Sequence, residues 1–204
     1  MNKLYPIDYV TYYDSSGKLP SEVRKSMKET KEKGFHILRL TPDSYNVPHE
    51  VKAYHAGFKH MREITMPKFM KLKNNNPQIK GFFIAEGDLC IDEDYDFQKF
   101  INDKFKKPIW MGYKKILSNY IVGNFLIYIP ASHLEKFNKY FQDQTRLVYS
   151  DRFFTRLVKE GKLELSPISL ASEIEHHSKV KRGLRESEEC HIKLKKPSPH
   201  DPRD

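Results

Sequence analysis

Residues 79–88 run Ile79-Lys80-Gly81-Phe82-Phe83-Ile84-Ala85-Glu86-Gly87-Asp88, an apolar segment that breaks off in two carboxylates around a glycine. An uninterrupted apolar run this short suits a strand buried on both faces, as in a parallel sheet. Acids at the carboxyl end of such a strand fall where open α/β sheets bind their ligands. Gly87 lets backbone or ligand come close and removes a side chain that would block a shared ion. Paired carboxylate oxygens are hard ligands for Mg²⁺ or Mn²⁺, commonly alongside substrate phosphates. Taken alone, the same residues also read as an acidic turn after a strand.

Upstream, Ile7, Tyr9, Val10 and Tyr12 mark a strand over 6–13, and Asp14-Ser15-Ser16-Gly17 breaks it. Ser21 can cap a helix whose Val23 and Met27 share a face and which ends at Gly34. Phe35 to Leu40 is a second strand. A longer helix then carries Val51, Tyr54, Phe58, Met61 and Ile64 on one stripe. Pro67 is expected to end or kink that helix, and Asn74-Asn75-Asn76-Pro77 to stop it.

Downstream come a short helix with Phe97, Phe100 and Ile101, then strands at Ile109 to Gly112 and Ile121 to Ile129. Helices follow from Ser132 (Leu134, Phe137, Phe141) and from near Asp151 (Phe153, Phe154, Leu157, Val158), the second stopping at Gly161. Leu163 to Ile168 is a candidate last strand. Strands and helices alternating through the first half predict an α/β fold with helices on both faces of a mostly parallel sheet. The close spacing of strands around 107–129 adds an antiparallel pair, so the sheet is expected to be mixed. The expected division is a catalytic domain over 1–178 and a charged, loosely ordered tail over 179–204.

The 204 residues suffice for one domain. An apolar fraction of 38% beside an aromatic fraction of 13% predicts a core rich in Phe and Tyr. Cys90 and Cys190 are far apart and lack metal-ligand spacing, which predicts free thiols in a reducing compartment. With no signal peptide and no apolar run near the ~20 residues of a membrane span, the expectation is a soluble, cytoplasmic protein (host cytoplasm if the source is a virus). The formal charge of +9 attracts polyanions. Because the lysines of the first helix interleave with acids, they read as a solvated face rather than a binding stripe. A Walker loop, a Gly-rich dinucleotide turn, a Cys-x-x-Cys pair and a serine nucleophile elbow are all missing from the sequence.

The order of elements resembles GT-A-fold (Rossmann-like) glycosyltransferases, especially the lipopolysaccharide-type galactosyltransferases of family 25. It is also similar to the small GT-A domains with which large algal DNA viruses glycosylate capsid protein. The resemblance covers about residues 6–178. It rests on the strand Ile7 to Tyr13, the helix Ala53 to Met70 and the segment Phe82 to Asp92. Further on it rests on Tyr120-Ile121-Val122-Gly123-Asn124-Phe125-Leu126-Ile127-Tyr128, on Ser150-Asp151-Arg152-Phe153-Phe154 and on the polar run Glu173 to Ser178. One departure stands out: the family carries three consecutive acids where this chain has Gly87 in the middle.

The resemblance implies a metal-dependent hexosyltransferase using a nucleoside diphosphate sugar, a UDP-sugar first, with a glycan or glycoprotein acceptor and inversion at the sugar. Asp88 is then the direct ligand of Mn²⁺ or Mg²⁺, with Glu86 reaching the ion through water or touching the donor ribose. His176 and His177 fall where similar domains close the donor site, and either would complete the metal shell; both also read as surface histidines. Asp151, on a helix opening beside the acceptor, is the candidate base for the acceptor hydroxyl, and Asp is equally a favoured N-cap. Thr11, Tyr12 and Tyr13 are placed for the base, and Arg39 and Lys59 for phosphate or ribose. Two rival readings are a basic nucleic-acid-binding module without enzymatic activity, which lacks any interleaved aromatic and basic motif, and a nucleotidyltransferase on the same fold.

Overall fold

The computed structural model describes residues 5–10, 21–32, 36–37, 53–86, 89–91, 107–115, 120–165, 174–176 and 192–194. Strands β1 (Pro6–Val10), β2 (His36–Ile37), β3 (Gly81–Glu86), β5 (Ile109–Lys115), β6 (Tyr120–Pro130) and β7 (Glu164–Leu165) form one sheet in the order β2-β1-β3-β6-β5-β7. β1 pairs in parallel with both β2 and β3, β6 runs antiparallel to β3 and β5, and β7 is parallel to β5. The sheet is therefore mixed and mostly parallel, as the alternation of elements predicts. A second sheet joins β4 (Leu89–Ile91), β9 (Ile192–Leu194) and β8 (Ile174–His176) in the order β4-β9-β8. Its middle strand lies within the segment expected to be a loosely ordered tail.

The chain passes from β1 through α1 (Ser21–Glu32) to one neighbour, and from β2 through a long helical segment to β3 on the other side. Right-handed crossovers in opposite directions put those helices on opposite faces of the sheet. The long segment comprises α2 (Ala53–His60), a single π turn (Met61–Thr65) and α3 (Met66–Asn75). Pro67 does not end this helix, one of the two outcomes expected of it; the helix continues, with a wider turn directly before it. This proline sits in the first turn of α3, just after a turn in which the Met66 amide donates to the Met61 carbonyl. A turn one residue wider is one of the few ways a helix accommodates a proline or an inserted residue. The wider turn also rotates Ile64 off the apolar stripe, where it stands 40% exposed, while Phe58, Met61, Met66 and Phe69 remain buried.

α4 (Leu134–Gln142) buries Leu134, Phe137 and Phe141, one face at helical spacing. α5 (Ser150–Lys159) buries Phe153, Phe154 and Leu157. It ends where Gly161 takes φ 66° and the Lys162 amide donates to the Leu157 carbonyl at 2.8 Å, a Schellman closure that favours glycine. Phe82 and Ile84 of β3 face this helical layer together with Trp110, Ile127 and Ile129. The core there is aromatic: Phe141 lies 4.7 Å from Phe153 and 5.5 Å from Phe58, and Phe69 4.7 Å from Phe82, between ring centroids. On the opposite face Phe83 meets Tyr128 at 5.0 Å, and the Tyr128 ring covers Gly81 so closely that no Cβ fits. Ser26 joins α1 to the second sheet by accepting from the Ile91 amide (2.7 Å) and donating to its carbonyl (3.1 Å). The exposed side of α1 carries the i,i+4 pairs Lys25–Glu29 and Lys28–Glu32, as a solvated face does.

Candidate functional site

β1 and β3 are parallel neighbours whose last residues stand opposite each other, Val10 against Glu86. Chain order reverses at this pair of strands, because β2 lies on one side and β3 on the other. In open α/β sheets such a switch point leaves a crevice at the carboxyl ends of the strands, and ligands bind there. Glu86 is thus the final residue of β3, at the edge of the sheet where such a crevice forms. Asp88 follows two residues later and Thr11 follows Val10 in the chain. Thr11, Tyr12, Tyr13, Arg39, Asp88 and His177 themselves lie outside the described residues.

Two further segments reach the same edge. β6 begins there, because it runs antiparallel to β3. Its pairing with β5 passes from Met111↔Leu126 to Tyr113↔Val122, so Gly112 alone opposes Gly123, Asn124 and Phe125. Irregularities of this kind re-aim a strand and recur beside active sites. In the sequence, Gly112 and Gly123 were the available signal for it. The second segment is the start of α5. β7 runs in the same direction as β3, and α5 returns the chain to the beginning of β7. Its first turn therefore lies at the carboxyl edge. Tyr149 is the N-cap of this helix, so Asp151 is not, and it stands half-buried in the first turn instead.

Lys59 is half-buried on α2, its Nζ 3.9 Å from the Glu63 carboxylate one turn on. His176 is the last residue of β8, paired with Ile192 of β9, which in turn pairs with Leu89 of β4. The second sheet therefore brings the strand ending in His176 two places from the strand that starts right after Asp88. Among the described residues no three metal-ligating side chains stand together.

A buried polar group escaped the sequence reading. Asp8 of β1, 1% exposed, accepts a hydrogen bond of 2.6 Å from the Thr65 hydroxyl in the π turn. Nε2 of His60 lies 3.4 Å from the same carboxyl oxygen. An acid inside an otherwise apolar strand was the clue, since buried acids need partners. Arg62 belongs to the same π turn. Its guanidinium donates to the Gln144 carbonyl at 3.0 Å and lies over the Phe58 ring. The α4–α5 loop that leads to Asp151 is thereby tied to the helix in front of β3.

Neither a family model nor a curated protein matches the sequence. Among solved structures the fold is similar to a crystal structure of a glycosyltransferase involved in the glycosylation of the major capsid of PBCV-1. The TM-score is 0.51 and the identity 10%, over 79% of this chain and 80% of that one. The chain thus shares the fold of that structure, a Rossmann-like layered α/β architecture. No helix among the described residues is long and apolar enough to cross a membrane.

Proposed function

We propose that this chain is a metal-dependent glycosyltransferase that moves a hexose from a nucleoside diphosphate sugar, a UDP-sugar first, to a hydroxyl of a glycan or glycoprotein, with inversion. The observation that carries this reading is the placement of Glu86 at the carboxyl end of β3, directly across from the end of β1, in a chain whose fold is similar to that of a glycosyltransferase. Kinship to the galactosyltransferases of family 25, with their capsid-modifying viral relatives, belongs to the same proposal.

The donor set fits a divalent ion, because carboxylates at a strand end supply hard oxygens and histidine adds a nitrogen that Mn²⁺ accepts. Asp88 would hold the ion directly, Glu86 would reach it through water or contact the donor ribose, and His176 or His177 would complete the shell. When bound, the ion supplies Lewis-acid charge that stabilises the departing diphosphate. Residues 11–13 bind the base, and Arg39 and Lys59 contact phosphate or ribose. Asp151 takes the proton from the acceptor hydroxyl, whose oxygen forms the new bond to the anomeric carbon as the bond to diphosphate breaks. Its place in the first turn of α5, at the carboxyl edge, supports that role.

Isothermal titration with UDP and Mn²⁺ tests the proposal. Binding by the parent protein that is lost in Asp88→Ala supports it. Absence of binding, or binding unchanged in the variant, overturns it. Chromatography of the products from UDP-hexose separates sugar transfer from nucleotidyl transfer.

A further inference from the structure

We infer that Arg62 and Gln144 are positioning residues for Asp151: they latch the α4–α5 loop to the π turn and so fix the first turn of α5. This inference rests on the function proposed above. Gln144 lies in that loop with every polar group bonded inside the protein. Its amide donates to the Phe141 carbonyl (3.3 Å) and its carbonyl accepts from Arg62 (3.0 Å). Its Oε1 accepts from Arg156 of α5 (2.8 Å), and its Nε2 donates to the Arg146 carbonyl (3.0 Å). Connecting loops are ordinarily more mobile than the elements they join. These bonds restrain the one that leads into the helix bearing Asp151.

Arg62 is the anchor on the other side. Its side chain is 17% exposed, and its other guanidinium nitrogen donates to Glu63 at 2.9 Å. Its Cζ lies 5.6 Å from the centroid of the Phe58 ring, and Phe58 meets Phe153 of α5 at 5.0 Å. A polar path through Gln144 and an aromatic path through Phe58 thus both run from Arg62 to α5. Further along, the π turn is fastened to β1 by the hydrogen bond of Thr65 to Asp8. Asp8 precedes by two residues Val10, which stands across from Glu86. The π turn therefore ties the strand pair of the candidate site to the helix that carries the proposed base. Reacting groups must be held to within about 0.5 Å by a locked supporting shell, and π turns inside helices recur at functional sites.

Steady-state kinetics of the full chain test this, read as UDP release from UDP-glucose and UDP-galactose with a panel of p-nitrophenyl hexosides as acceptors. Arg62→Met keeps the stem over Phe58 and removes the donors. A misplacement of about 1 Å costs about 10²-fold in rate, so kcat is expected to fall about 10- to 100-fold with the donor KM unchanged. Arg62→Lys, which keeps one donor for the Gln144 carbonyl, should recover most of that loss. A double-mutant cycle separates positioning from a merely structural role. In an Asp151→Asn background Arg62→Met should lower kcat no further, because groups that act as a unit are non-additive. A parent-like kcat in Arg62→Met, or losses that multiply in the double mutant, overturns this inference and leaves the proposed function standing. A parent-like kcat in Asp151→Asn overturns it together with the assignment of the base. A parent that releases no UDP overturns both the inference and the proposed function. Far-ultraviolet circular dichroism checks the fold. If Arg62→Met does not fold, Gln144→Ala, which cuts the bonds to Arg156 and Arg146, is read in the same cycle with the same expected outcome.

Discussion

Replacing Thr65 by Val removes a single hydroxyl from the interior while keeping the side chain's shape. The hydroxyl donates to Asp8 over 2.6 Å, and both residues are buried, at 0% and 1% exposure. That separation is the ~2.5–2.7 Å of a charge-assisted O–H···O bond. Water does not reach the site to replace the donor, so the carboxyl group loses its shortest hydrogen bond while His60 Nε2 stays 3.4 Å away. A hydrogen bond to a charged group contributes ~1.5–3 kcal/mol. Valine fills the same volume, so little of the loss comes from a cavity. For a chain of this size ~1 kcal/mol moves Tm by ~2–4 °C, so Thr65→Val should melt roughly 3–12 °C below the parent by circular dichroism. In an Asp8→Asn background the same substitution should cost less, with a coupling energy of ~0.5–3 kcal/mol in the double-mutant cycle. A Tm within about 1 °C of the parent, or strict additivity in the cycle, would refute the reasoning.

Phe141 touches Phe58, Phe137, Phe153 and Phe154, so Phe141→Ala should lower unfolding free energy by ~3–5 kcal/mol in urea titration. Gly81→Ala drives a methyl group into the Tyr128 ring and should cost ~1–3 kcal/mol, a loss that Tyr128→Leu in the same chain should reduce. Asp151→Asn should lower kcat for sugar transfer by ~10²–10⁴-fold with the KM for donor unchanged. A rise in KM with kcat unchanged would instead assign Asp151 to substrate binding.

β3 was legible because both of its faces are covered, so its apolar run needed no periodicity to be seen. The helices α4 and α5 were legible because Leu134, Phe137 and Phe141, and likewise Phe153, Phe154 and Leu157, repeat at helical spacing over a single buried face. Pro67 misled, because its missing amide weighs against a helix only when the preceding turn keeps α geometry. The wider turn at Met61–Thr65 is a tertiary accommodation, held by Thr65 to Asp8 and by Arg62 to Gln144. Strand β9 was hidden for another reason. Ile-Lys-Leu is three residues long in a charged context, and its pairing with β4 closes across about half the chain, which no local pattern reports. Of the candidate site, Glu86 and the first turn of α5 follow from strand ends and helix starts. The irregularity at Gly123 follows only in part: Gly112 and Gly123 point to a bulge, but its register shift exists only in the pairing of β6 with β5.

The location of the candidate site follows from strand direction more than from any one side chain. β3 is shared between a parallel half, which supplies the switch point with β1, and an antiparallel half, which begins with β6. Were β6 parallel to β3, its first residues would stand at the far edge and a helical connection would occupy the space beside Glu86. Because β6 runs the other way, Gly123 to Phe125 start at the rim. The same reversal sends α4 back up the sheet, so that the α4–α5 loop, tied to Arg62, opens α5 at that rim as well. Val10, Glu86, the β6 irregularity and Asp151 therefore reach one edge from distant parts of the chain. A substitution that leaves strand order intact alters the chemistry available at this edge without moving the edge.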